Sequence, residues 1–143
     1  MLGFKFKKEN KLTMTNTYPV RTNKAPNPVG PYNQAIKSGN FIFCSGQIAI
    51  NPATNEIDCL GDIEKETIQV IKNLNEVLKA ANADLTNVIK TTIFLKDLDN
   101  FNKVNSIYEK YFNGKNAPAR ACVEVSSLPK GVLIEIDCVA YIH

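Results

Sequence analysis

Histidine is almost missing from this chain: the single one, His143, is the last residue. A mechanism built on a buried histidine base, or on a Ser-His-Asp triad, is thereby all but excluded. The four cysteines, Cys44, Cys59, Cys122 and Cys138, include no CxxC pair and have no histidines to complete a zinc site; reduced, mostly buried thiols are expected instead. No Gly-rich phosphate loop and no carboxylate cluster at metal-ligand spacing occurs, so phosphoryl transfer and metal catalysis recede as well. Apolar runs of membrane-spanning length are also lacking, and the N-terminus has neither the h-region nor the small-residue cleavage site of a secretory signal. An intracellular, cytoplasmic protein with no membrane partner is the expectation. Organelle targeting by the N-terminal segment stays open, although that segment lacks the Arg and Ser of a mitochondrial presequence.

Charge of one sign is scarce once its location is considered. The formal net charge is +3, and Lys5, Lys7, Lys8 and Lys11 against Glu9 place all of it in the first seventeen residues, leaving 13 basic and 13 acidic residues behind. A neutral body weakens a nucleic-acid-binding reading, which then rests on a local patch alone.

What is present suits one domain of 143 residues with enough apolar content for its own core. Residues 1–17 carry no periodic apolar face and are expected to be a disordered or leader extension; residues 18–143 form the domain. Tyr18 to Val20 begins a first strand. Ala25 to Tyr32 is too rich in Pro and Gly for regular structure and reads as a rigid loop ending in Tyr32. Two strands, Asn33 to Lys37 and Phe41 onward, flank a tight turn at Ser38-Gly39-Asn40, and Gly46 within the second marks a bulge or a close backbone approach. Asn51 to Asn55 is a further turn. A helix capped by Asp62 follows, with Ile63, Val70, Ile71, Leu74, Val77, Leu78 and Ala81 on one stripe and Asn82 at its end.

Val88 to Leu95 is a β-branched strand whose spacing places Ile89, Ile93 and Leu95 on one face. A second helix, Asn100 to Phe112, is expected to bury Phe101, Val104, Tyr108 and Tyr111 or Phe112. Asn105 lies near that stripe, either facing solvent or contacting a ligand. Ala117 to Val125 and Val132 to Asp137 read as strands, and the turn chemistry of Ser126 to Gly131 suggests an antiparallel hairpin. The order predicts an α+β domain, two helices across one face of a mixed sheet, with the other face left apolar and in need of self-association.

Within the last two strands stand the charges that apolar surroundings make conspicuous. Arg120, Cys122 and Glu124 share one face of the first, and Leu133, Glu135 and Asp137 share one face of the second. Arg120 suits a carboxylate and Glu135 can take a proton from water, which together fit a small carboxylated substrate attacked by water. An Arg120–Glu135 ion pair across the hairpin accounts for the same residues equally well. Cys122 reads as a packed small residue, since no histidine activates its thiol.

The motifs Gly30-Pro31-Tyr32, Ser45-Gly46-Gln47, Lys90 to Leu98, Pro118 to Val125 and Ile134-Glu135-Ile136 resemble, in this order, the Rid/YjgF family, also called the L-PSP endoribonuclease or translation-inhibitor family, and its RidA branch above all. The resemblance runs from about Tyr18 to the C-terminus. It implies a chorismate-mutase-like α+β fold, a homotrimer with clefts between subunits, no cofactor, and hydrolysis of 2-imino acids such as 2-iminobutanoate and 2-iminopropanoate to 2-oxo acids and ammonia. It further implies that Arg120 binds the substrate carboxylate and that Glu135 positions water and moves its proton. Tyr32 would close one side of the cleft, Ser45, Gly46 and Asn105 would line it, and main-chain groups at Ala121 and Cys122 would face the imine. Ala117 stands where many relatives carry a bulkier residue, which leaves side-chain preference open. An endoribonuclease or translation inhibitor, and a ligand-binding trimer without catalysis, are the alternatives.

Overall fold

β-branched and aromatic alternation builds six strands, and turn residues separate them. In the computed structural model, which describes residues 16–143, these are β1 (Thr17–Val20), β2 (Ala35–Ser38), β3 (Phe41–Gln47), β4 (Val88–Leu95), β5 (Ala119–Glu124) and β6 (Ile134–Tyr141). They form one sheet in the order β1-β2-β3-β6-β4-β5. All pairs are antiparallel except β4 with β5, which is parallel. Gly39 takes a positive φ in the two-residue turn between Ser38 and Phe41, as expected. Of the reading for residues 1–17, all but the last two residues lies outside the described part. Asn16 and Thr17 already belong to the sheet's margin, Thr17 opposite Ser38.

Two helices, α1 (Ile63–Ala80) and α2 (Phe101–Tyr111), lie on one face of the sheet. Asp62 caps α1 by accepting a bond from the Lys65 amide, and Asn82 ends it in the left-handed conformation at φ 60°. Its stripe Val70, Ile71, Leu74, Val77 and Leu78 is fully buried against Ile42, Ile93, Ile134 and Ile136 of the sheet. Burial of each such side chain contributes about 1.5–3 kcal/mol, so this contact is the main source of stability. Two buried polar residues of α1 then fix its neighbours. Glu66 accepts from the Gly61 and Leu133 amides at 2.9 and 2.8 Å. Asn73 donates to the carbonyls of Ile48 and Ile50 at 3.1 and 2.9 Å.

Three sequence expectations are corrected. The closing strands do not form a hairpin: β4 lies between β5 and β6, paired with both. The stretch β4-α2-β5 is instead a parallel strand-helix-strand unit, in which a helix supplies the crossover that parallel strands require. Ile89 does not share a buried face with Ile93 and Leu95; it is 46% exposed, because an irregularity between Val88 and Lys90 shifts the phase at the start of the strand and buries Val88 in its place, while Thr91 continues the buried face of Ile93 and Leu95. Phe101, expected in the core, stands at the first turn of α2 with 36% of its surface exposed.

Among the described residues, no helix covers the opposite face of the sheet. Phe41 and Phe43 are exposed there on β3, with Tyr141 packed edge-on against Phe41 at 5.0 Å and Val123 exposed on β5.

Candidate active site

Register assigns the two candidate charges to opposite sides of the sheet. Arg120 is paired with Thr91 of β4, and Thr91 is buried beneath α2, its Oγ1 at 2.7 Å from the Tyr108 hydroxyl. Glu135 is paired with Phe94. Thr91 and Phe94 are an odd number of residues apart, so their faces alternate, and Arg120 looks toward α2 while Glu135 looks toward the open face. They are also separated by two strand spacings, about 10 Å. Among the described residues neither takes part in an ion pair, which removes the cross-hairpin pair as an explanation of the two charges.

On the open face the bulge in β3 creates the surroundings of Glu135. The pairing of β3 with β6 shifts between Cys44 and Gln47, which places Ser45 and Gly46 out of register. A Cβ at Gly46 would collide with the Glu135 carboxyl, whose Cδ would be 2.9 Å away. Glycine is therefore needed for the carboxyl to lie over the backbone. A pocket opens beside it, walled by Pro28, Val29, Ile48 and Pro129 and rimmed by Tyr32, Gly46 and Glu135. This half-buried, largely apolar setting raises the Glu135 pKa, first through loss of water and second through the charge of Asp137 on the same face. Ser45 does not offer its hydroxyl to the pocket; the hydroxyl donates to the Asn33 carbonyl at 2.6 Å, so its contribution is to shape the bulge.

Among the described residues, the loop carrying Tyr32 has no strand partner. Its geometry comes from Gln34, 2% exposed, whose amide donates to the carbonyls of Thr22, Ala25 and Pro26 and accepts from the Thr22 amide at 2.7 Å. Tyr32 itself turns back on its loop, its hydroxyl accepting from the Val29 amide at 3.2 Å. Gln34 is not among the residues that the sequence marks as functional. A glutamine between a proline-rich loop and a strand was the only signal available.

Toward α2, Arg120 donates from Nη1 to Asn105 Oδ1 at 2.7 Å. Its Cζ lies 5.0 Å from the centre of the Tyr108 ring and 5.5 Å from that of Phe101. Asn105 is thus a partner of Arg120 and not simply a solvent-facing residue. Cys122, two residues along β5, packs against the core on the same side; burial pushes its thiol pKa up, against a smaller opposing effect of Arg120. The thiol stays protonated at neutral pH and is a poor nucleophile. Ala121 faces the other side, paired with Thr92. Among the described residues β5 is the last strand of the sheet, so alternate main-chain groups around Ala121 and Cys122 point away from β4 without a ladder partner there.

The candidate residues therefore gather into two clusters, Tyr32, Gly46 and Glu135 on one side and Asn105, Arg120 and Cys122 on the other. Among the described residues no three His, Cys, Asp or Glu side chains converge as metal ligands would, and no helix is long and apolar enough to cross a membrane.

Residues 22–142 match the family model described as Endoribonuclease L-PSP. A RutC family protein of Pyrococcus abyssi is 55% identical over 120 residues, which cover 84% of this chain and 93% of that protein. The human protein named 2-iminobutanoate/2-iminopropanoate deaminase is 47% identical over 121 residues, covering 85% of this chain and 87% of the human one. Among solved structures, that of the Escherichia coli YjgF gene product superposes with a TM-score of 0.82 at 41% identity, covering 88% of this chain and 99% of that one.

Proposed function

The chain belongs to the Endoribonuclease L-PSP family, and on that premise we propose that it is a hydrolytic deaminase converting small 2-imino acids, such as 2-iminobutanoate and 2-iminopropanoate, to 2-oxo acids and ammonia. The observation that carries this reading is the Glu135 carboxyl, raised in pKa and held over the Gly46 backbone at the rim of an apolar pocket. The names of the human and rat relatives support it, at 47% and 46% identity.

The chemistry asked of the site is modest. A protonated imine is already electrophilic at C2. Water attacks that carbon as Glu135 takes its proton, giving a tetrahedral carbinolamine. Glu135 then returns the proton to nitrogen, the C–N bond breaks, ammonia leaves, and the remaining hydroxyl loses its proton to become the 2-oxo group. Arg120 receives the carboxylate, and the outward main-chain groups of Ala121 and Cys122 face the imine. Tyr32 closes the pocket, while Ser45 and Gly46 shape it.

Because Arg120 and Glu135 face opposite ways, one chain offers two half-sites. In this reading the Arg120 side of one subunit meets the Glu135 side of the next, in a closed ring of three. The uncovered aromatic face of β3 and β6 is buried in the ring. The protein acts in the cytoplasm and needs no cofactor.

The test is a coupled assay in which threonine dehydratase generates 2-iminobutanoate and its decay is followed with and without the protein. Faster decay is expected, lost in Arg120→Ala while the subunits stay folded. An unchanged decay rate with the native protein would overturn the enzyme reading; RNA cleavage that disappears in the same variant would favour the nuclease instead.

A further inference from the structure

Phe101, Asn105 and Tyr108 are spaced four and three residues apart along α2, which sets them on one stripe of the helix. That stripe is aimed at a single side chain. Asn105 accepts one N–H of Arg120, and the two rings approach the same guanidinium to 5.5 and 5.0 Å. The Tyr108 ring is itself fixed, because its hydroxyl is bonded to Thr91, the residue beside Arg120 in the sheet. Core packing does not account for Phe101, which keeps 36% of its surface exposed at the start of the helix. A phenylalanine that keeps about a third of its surface in water next to a cation is placed for contact with that cation.

We infer that Phe101 and Tyr108 are positioning residues that hold the Arg120 guanidinium in a set plane, so that its N–H groups not used by Asn105 are presented together to an incoming carboxylate. This rests on the reading of Arg120 as the carboxylate-binding residue. An arginine on an edge strand has many rotamers, and a bidentate carboxylate contact requires one orientation of a planar fork. The rings restrict the tilt of that plane and Asn105 restricts its rotation. A lysine offers no plane to orient, so Arg120→Lys is expected to leave the site as weak as Arg120→Ala.

The experiment is calorimetric titration of the full-length protein with 2-oxobutanoate, a stable carboxylate of the product class, alongside steady-state kinetics on the imine. Phe101→Leu is expected to weaken binding roughly 3- to 30-fold, with a matching rise in KM and kcat largely kept. Phe101→Tyr, which retains a ring, is expected to bind like the native protein. Phe101→Met repeats the ring deletion at similar volume, in case the leucine variant folds poorly. Native affinity in both ring-deleted variants, with binding lost in Arg120→Ala, would overturn the inference and leave the function standing. Equal weakening in Phe101→Tyr and Phe101→Leu would also overturn it. Native affinity in Arg120→Ala would instead sink the carboxylate-binding reading on which it rests.

Discussion

Under the proposed mechanism, Glu135 links the pH dependence of stability to that of activity. Its folded pKa is raised by burial and by Asp137, so between the ordinary carboxylate pKa and the raised one the native protein holds a proton that the unfolded chain has released. Stability therefore falls as pH rises through that window, and the loss is complete above the folded value. Glu135→Gln keeps the shape and cannot ionise. It is expected to be at least as stable as the native protein near neutrality, with the difference vanishing below about pH 4, as denaturant titrations across pH would measure. Turnover by the same variant is expected to fall about 100-fold or more, and the native activity should decline as pH drops through the raised pKa, at a higher pH than for an ordinary carboxylate. Gly46→Ala separates position from chemistry. The group its Cβ meets is the movable end of the Glu135 side chain, so the protein is expected to fold with a nearly unchanged melting temperature and to lose about 100-fold in kcat/KM.

Helices and strands transmit this precision from the core to the pocket. Asn73 of α1 holds the carbonyls of Ile48 and Ile50, and both residues line the pocket beside Glu135. Asn73→Leu strands the buried Ile50 carbonyl and leaves that of Ile48 with the Ile50 amide as its donor, for an expected loss of about 1–3 kcal/mol in equilibrium unfolding, accompanied by a raised KM. The elements themselves were largely legible in the chain. The α1 stripe, its Asp62 cap, the Ser38 to Phe41 turn and the Gly46 irregularity all follow from local periodicity and local backbone preference, which sequence displays directly. Strand order was less accessible. Ser126 to Gly131 has the chemistry of a hairpin turn, and adjacent strands usually pair, yet β4 is inserted between β5 and β6. The competing signal was the strand-helix-strand pattern from Val88 to Glu124, which favours a parallel β4–β5 pair. The same uncertainty hid the relation of Arg120 to Glu135: each strand's alternation was readable, but their opposite facing depends on register through a third strand. Gln34 and the aromatic neighbours of Arg120 were missed because their contacts join segments distant in sequence, which no spacing reveals.

At the scale of the molecule, the proposed ring predicts complementation. Arg120→Ala and Glu135→Gln subunits are each inactive, but a site drawing Arg120 from one subunit and Glu135 from the next is intact wherever the right neighbours meet. Random mixing in equal amounts after dissociation is expected to restore about one quarter of native activity, given a head-to-tail closed ring; no recovery would count against shared sites. Phe43, 49% exposed on the uncovered face, offers a second handle, since Phe43→Asp is expected to lower the sedimented mass and the activity together. The opposed facing of Arg120 and Glu135 has a final consequence in mass action. If each catalytic centre exists only while subunits are associated, specific activity reports the association equilibrium: on dilution it should fall along a steep concentration-dependent curve while each chain, with its own core under α1, remains folded.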